Sequence, residues 1–132
     1  MPLPITAFYA AILAGLLFVL IINVTRNRFR AKVSINDGGD EKLSRAIRTH
    51  GNFIETVPYA LGLIAIIEVN GAPAATLWWL GAVLVISRLM HSYGLLGGMK
   101  TLKIRVYGMY GTFGVILTAA GIALFQAVQF FM

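Results

Sequence analysis

The sequence predicts an all-α integral membrane protein whose protomer is a bundle of four transmembrane helices. Three observations carry this expectation. Only 12% of the 132 residues are charged and 58% are hydrophobic, roughly half the charge of an ordinary soluble domain. The mean hydropathy is +0.80. Four apolar segments each exceed the ~20 residues that cross a bilayer as a helix. Nothing repeats internally and no segment is long enough for a soluble domain, so the chain reads as one domain, 1–132.

The first span, about 2–24, is PLPITAFYAAILAGLLFVLIINV and carries no charge. It lacks a basic leading region and a small-residue cleavage site, so it is expected to be a retained span and not a signal peptide. The second span runs from about 46 to 69, with Pro58 inside it. Pro58 removes the hydrogen bond to the Ile54 carbonyl and permits a kink. The third, about 75–96, opens near Trp78 and Trp79, which suit an interfacial aromatic belt. The fourth, about 106–131, carries Gly108, Gly111 and Gly114, residues that allow helices to approach closely in lipid. The connectors are a charged loop 1 at 25–45, the turn NGAP at 70–73 and a basic loop 3 at 97–105.

There are no cysteines, which excludes a disulfide framework, thiolate-bound metal and a protein thiol nucleophile; no metal site is expected. A net charge of +6 could suggest a nucleic-acid partner, but the placement of the charges argues against one. Arg26, Arg28, Arg30, Lys32, Lys42 and Arg45 lie in loop 1, and Lys100, Lys103 and Arg105 in or beside loop 3. Arg48 and Arg88 fall in the helix halves that adjoin those loops. The positive-inside rule places both loops in the cytoplasm and both termini, with NGAP, on the opposite side. The basic residues then form a membrane-proximal belt. Its simplest use, for Arg26, Arg30 and Lys32 above all, is to bind anionic headgroups of membrane lipids.

Arg45, Arg48, Asn52, Glu55 and Tyr59 follow i, i+3, i+7, i+10, i+14, one stripe of a helix. Charged groups facing lipid cost several kcal/mol each, so the stripe is expected to face the bundle interior or a watery cleft. Span three brings Arg88, His91, Ser92 and Tyr93 to the same depth, and a Glu55–Arg88 pair is expected, either as a helix lock or as part of a site. Arg105, Tyr107 and Tyr110 enter at that level from span four, where Tyr107 also fits a plain interface aromatic. His50, off the stripe, reads as an interfacial hydrogen-bonder. The surplus of donors suits a small anionic ligand that also bears an amine or amide.

The pattern Arg48-Thr-His-Gly-Asn52-Phe-Ile-Glu55 followed by Pro58, at the start of the second of four spans, and Arg88-x-x-His91 in the third, resembles the MAPEG family. These are the membrane-associated proteins in eicosanoid and glutathione metabolism, and the likeness is greatest to a small bacterial branch. The resemblance spans nearly the whole chain. It implies a homotrimer, multi-pass in the inner (cytoplasmic) membrane if bacterial, with glutathione as co-substrate between neighbouring subunits. By resemblance Arg48, Asn52 and Glu55 would hold the tripeptide, with Arg28 reaching a neighbour's ligand. Arg88, His91 and Tyr93 would line the site, and Arg105, with Tyr110, would polarise the thiol. The implied activity is a glutathione transferase or peroxidase acting on hydrophobic electrophiles drawn from the bilayer. The alternative is a non-enzymatic membrane protein that binds anionic lipid or a partner through its basic belt; a transporter fits four short helices less well.

Overall fold

The computed structural model describes residues 2–132, with the side chains of Met99 and Lys100, and hence the belt position expected of Lys100, outside that description. Four α-helices follow one another: α1 Pro4–Ala31, α2 Glu41–Val69, α3 Ala74–Leu96 and α4 Leu102–Phe131, with a 3-10 turn at Gly98–Thr101 before α4. All four are long and apolar enough to cross a membrane.

The helices outrun their apolar segments. α1 continues past Val24 to Ala31, α2 begins at Glu41 and α4 at Leu102. An apolar run measures the hydrocarbon thickness, whereas a helix continues wherever each N–H still finds its i−4 carbonyl. Thr25 and Asn27 turn their side chains back onto the helix, donating to the main-chain carbonyls of Ile21 at 3.0 Å and Asn23 at 2.8 Å. α1 stops where Lys32 turns left-handed (φ 55°) and the Val33 N–H closes onto the Arg28 carbonyl at 3.2 Å. α2 starts where the Asp40 carboxylate accepts the Leu43 N–H at 2.8 Å, a conventional N-cap. The same carboxylate accepts from Arg30 Nη2 at 2.5 Å. Loop 1 is therefore far shorter than its charged sequence suggests, and it is pinned to the end of α1.

At the opposite end Glu68 has a more specific task than a lone surface carboxylate. Its two oxygens accept the main-chain N–H groups of Ile5 at 2.9 Å and Thr6 at 2.8 Å, and the Thr6 hydroxyl at 2.5 Å. α1 has no cap from its own N-cap residue, so α2 supplies one, with a negative charge at the positive end of the α1 dipole. Beside it the Tyr9 hydroxyl donates to the Trp78 carbonyl at 2.8 Å, and the Phe8, Tyr9 and Trp78 rings pack edge to face. Trp79 projects outward, as an interfacial anchor should, while Trp78 contributes to this cluster.

Between the two ends the bundle is held by fit. Lipid tails are as apolar as leucine, so burial against another helix gains little unless the surfaces interlock. α3 and α4 form the most intimate pair. A Cβ on Gly108 would come within 2.5 Å of the His91 nitrogen and 2.6 Å of the Ser87 carbonyl oxygen, and one on Gly111 would collide with the Ser87 hydroxyl. Gly114, by contrast, is exposed and meets no other helix within the protomer. α2 runs through the exposed Pro58 as one helix.

Removing the shared cap should be costly. Glu68→Ala strands two N–H groups at the start of α1 and should destabilise the detergent-solubilised protein by roughly 2 kcal/mol, read as a lower thermal midpoint. An unchanged midpoint would show that α1 needs no such anchor. Loop 1 supplies a pH dependence. Arg30, followed by the Leu43 N–H, holds the Asp40 carboxyl below the usual aspartate range, and the Gly39 N–H does the same for Asp37. Depressed pKa values mean stabilisation present above the ordinary aspartate value of about 4 and lost as pH falls through the folded values. Hydrogen exchange at residues 33–43, corrected for its intrinsic pH dependence, should lose protection only below about pH 4. Loss already near neutrality would contradict this.

Candidate functional site

The polar layer lies at the end where loops 1 and 3 meet, and α2 sets its geometry. Successive helical residues turn by about 100°. The buried line of α2 runs through Leu43, Ala46, Thr49, Phe53, Val57, Ala60, Ile64 and Ile67. Arg48, Asn52, Glu55 and Tyr59 form a second line roughly 140° away from it, with Asn52 its nearest member. The stripe is real, and of its two expected surroundings the bundle interior is ruled out: within the protomer Arg48, Glu55 and Tyr59 face outward, and only Asn52 is half-buried at the edge of the interface. Arg48 borders a hollow of about 220 Å³ with Asn36, Asp37, Ser44 and Ile47.

Arg88 goes the other way. It is only 1% exposed, enclosed where α2, α3 and α4 meet. Its Nη2 donates to Asn52 Oδ1 at 2.8 Å and its Nη1 to the Thr112 hydroxyl at 3.4 Å. The guanidinium carbon lies 5.8 Å from the centre of the Phe53 ring, within cation–π range. The expected Glu55–Arg88 pair does not form: among the described residues the ion pairs are Arg30–Asp40 and Arg45–Glu41. The helical wheel explains why. Arg88 meets α2 between Asn52 and Phe53, and Glu55 lies on the far side of Asn52 from Phe53.

His91 is also sealed in, at 0% exposure. Its Nδ1 lies 3.4 Å from the Arg105 main-chain oxygen. That oxygen can only accept, so Nδ1 carries the proton and Nε2 is left as a buried acceptor, without a partner among the described residues. His91 thus faces the α4 backbone instead of lining an open pocket. The Arg105 backbone presses so closely on Gly94 that a Cβ there would meet it within 2.7 Å of Cα. Arg105 is half-buried and borders a groove of about 300 Å³ with Leu102, Val106, Met109, Tyr110 and Phe113. Arg105 and Tyr110 are thereby brought together, in a groove whose other walls are apolar.

The remaining candidates separate. Tyr93 is 64% exposed on the outside of α3. Arg28 spends Nη1 on the carbonyls of Ser34 and Asn36, both at 3.0 Å, so it fastens loop 1 whatever else it does. The protomer therefore presents two separate polar edges, Arg48–Asn52–Glu55 on α2 and Arg105–Tyr110 on α4. Thr112 and Phe53 escaped the sequence reading. The signal for Thr112 was its place one turn after Gly108 on the small-residue face; Phe53 offered none in so apolar a chain.

Comparison with known proteins gives the lineage. The inner membrane protein YecN of Escherichia coli K12 is 41% identical over 90 residues, covering 68% of this chain and 69% of that protein. The YecN of Escherichia coli O6:H1 matches equally. The profile of the MAPEG family matches residues 6–125, nearly the whole four-helix bundle just described. A match of that extent, on a chain that crosses the membrane four times, makes this multi-pass membrane protein a member of the MAPEG family.

Proposed function

We propose that the protein is a glutathione-dependent membrane transferase or peroxidase acting on hydrophobic electrophiles, its site completed between the subunits of a homotrimer. The observation that carries this reading is the outward α2 edge: the exposed cation Arg48 and carboxylate Glu55, with the half-buried amide of Asn52 between them along the helix. Such an edge is costly against acyl chains and suits a ligand bearing carboxylates and an amine. Arg48 offers a fork for a carboxylate, Asn52 an amide, and Glu55 an acceptor for the glutathione ammonium group.

The second edge supplies the chemistry. A guanidinium beside a thiol favours the thiolate, the nucleophilic form. With Arg105 of a neighbouring subunit in that role and Tyr110 beside it, the thiolate sulfur attacks an electrophilic carbon, a C–S bond forms, and the leaving group departs with the electron pair of the broken bond. With a hydroperoxide, the sulfur attacks the terminal oxygen and the O–O bond breaks to give an alcohol after protonation. A second glutathione then converts the sulfenic acid to a disulfide, releasing water. The apolar walls of the Arg105 groove, Leu102, Val106, Met109 and Phe113, open toward the bilayer, where such electrophiles concentrate. With loops 1 and 3 in the cytosol, as the basic residues favour, the tripeptide arrives from the water side.

One observation favours a second reading, in which the protein binds anionic lipid without catalysis. A hollow of about 470 Å³ lies among Thr25, Arg28, Phe29, Lys32, Val33 and Ser34, with two cations beside an exposed aromatic ring. The two readings part in a thermal-shift titration of the purified protein. Millimolar glutathione should raise the melting temperature, a thiol-blocked analogue should do likewise, and Arg48→Ala should remove both effects. If anionic lipid protects the fold and glutathione never does, the lipid reading replaces the first.

Arg105→Ala should keep the fold and lower turnover of a model electrophile by about 100-fold or more, the usual effect of deleting a group that stabilises developing charge. Tight glutathione binding without conjugate or hydroperoxide reduction, in any protein preparation, would leave binding but no enzyme.

A further inference from the structure

Asn52 stands at the junction of the closed interior and the open edge, and its two ends meet different surroundings. Its Oδ1 accepts from Arg88 Nη2 at 2.8 Å. Its main-chain carbonyl accepts the Thr56 hydroxyl at 2.8 Å. Its Nδ2 makes no hydrogen bond among the described residues, and the residue is half-buried beside the exposed Arg48 and Glu55.

A carboxamide is ordinarily ambivalent, since rotation by half a turn exchanges donor for acceptor. Here chemistry removes the ambiguity. A guanidinium has five N–H donors and no acceptor, so only the oxygen of Asn52 can meet Arg88. Arg88 itself is held by Thr112 Oγ1 and the Phe53 ring face and cannot swing away without opening the α3–α4 contact. We infer that Arg88 is a positioning residue. It fixes Asn52 with the oxygen inward and the NH2 outward, and so makes this point on the α2 edge a donor for an acceptor oxygen of the ligand, a peptide carbonyl or a carboxylate. Arg88 touches no ligand; it acts through Asn52. This rests on the glutathione reading above for the identity of the ligand, but not for the contact itself.

The choice of arginine then has a reason that packing alone does not give. A methionine would fill much of the same space, and replacing a buried charge by an apolar side chain is often neutral or stabilising. It would leave the amide free to flip. Lysine keeps a donor and a charge at the same place but lacks the planar fork that bridges Asn52 and Thr112.

A double-mutant cycle on the full-length protein in detergent tests this with two readouts, the melting temperature without ligand and the dissociation constant for glutathione. Asn52→Asp should hold or raise the melting temperature in the native background, because Arg88 gains a carboxylate partner. The same change should lower it in the Arg88→Met background. Equal destabilisation in both backgrounds would overturn the contact. In the second readout Arg88→Met should weaken glutathione binding about tenfold, the worth of one well-made hydrogen bond, with the melting temperature kept. Arg88→Lys should recover most of that loss. Asn52→Asp, which presents no donor, should weaken binding at least as much despite its retained stability. Native affinity in Arg88→Met, in a protein whose binding Arg48→Ala abolishes, would refute the positioning role. Absence of any glutathione binding by the native protein would instead defeat the function proposed above, and the melting-temperature cycle would still decide whether Arg88 orients Asn52.

Discussion

Taking a guanidinium out of water costs several kcal/mol even after the surroundings relax, and Arg88 is enclosed with no carboxylate among the described residues to offset that cost. What it has instead is an amide oxygen from α2, a hydroxyl from α4 and the face of a phenylalanine ring. Each is a weak partner alone, and all three have to be in place together. That requirement reaches into the backbone. Thr112 comes within range because Gly108 and Gly111 let α4 settle against Ser87 and His91. The spacing of α3 and α4 and the solvation of Arg88 are therefore one problem with one solution, and the position of Asn52 follows from it.

The same division of labour organises the rest of the bundle. Directional contacts sit at the two ends and steric fit holds the middle. α1 is tied to α2 at both ends: Glu68 grips the first turn of α1, and Arg30 reaches from its last turn to the residue that caps α2. Between these fastenings α1 meets its neighbours through residues such as Leu13 and Leu20, where lipid would be nearly as good a solvent. Fixing the ends fixes rotation as well as distance, and rotation is what decides which face of α2 is left open.

The number of helices and their order were legible in the sequence, because hydrocarbon thickness writes itself into composition. The Arg48–Asn52–Glu55 periodicity was legible too. Its direction was not, and the reason is specific to membranes. In water an amphipathic helix turns its apolar side inward, so a polar stripe announces the outside. In lipid both sides of α2 are apolar apart from that stripe, and the inward side is distinguished only by small and well-fitting residues such as Ala46, Thr49 and Ala60. Reading the stripe as inward led to a Glu55–Arg88 pair; once α2 is rotated by about 140°, Asn52 is the only member that Arg88 reaches. Helix ends were hidden for a related reason: polar caps at Asp40 and Lys32 lie in the aqueous layer, where hydropathy falls although the helix has not ended.

Arg48 and Glu55 remain as groups of opposite charge on an open face, one on either side of Asn52, unpaired among the described residues. An ordinary selection for stability would replace them or turn them inward, as Arg88 is turned. Retaining them outward makes physical sense where that face meets something polar. The interior already shows how a charge is treated when its purpose is to support: it is enclosed and given neutral partners. The edge shows the complementary treatment, with charges left unpaired among the described residues and an amide whose oxygen is already taken by Arg88. A tripeptide with two carboxylates and one ammonium group answers each of the three in kind, which an amine-free anionic headgroup such as phosphatidylglycerol does not, since it has no cation to offer the Glu55 carboxylate. On the proposed reading, then, Glu55 is the discriminating member of the edge: cations recruit any anion, and the carboxylate selects the anion that also carries an amine.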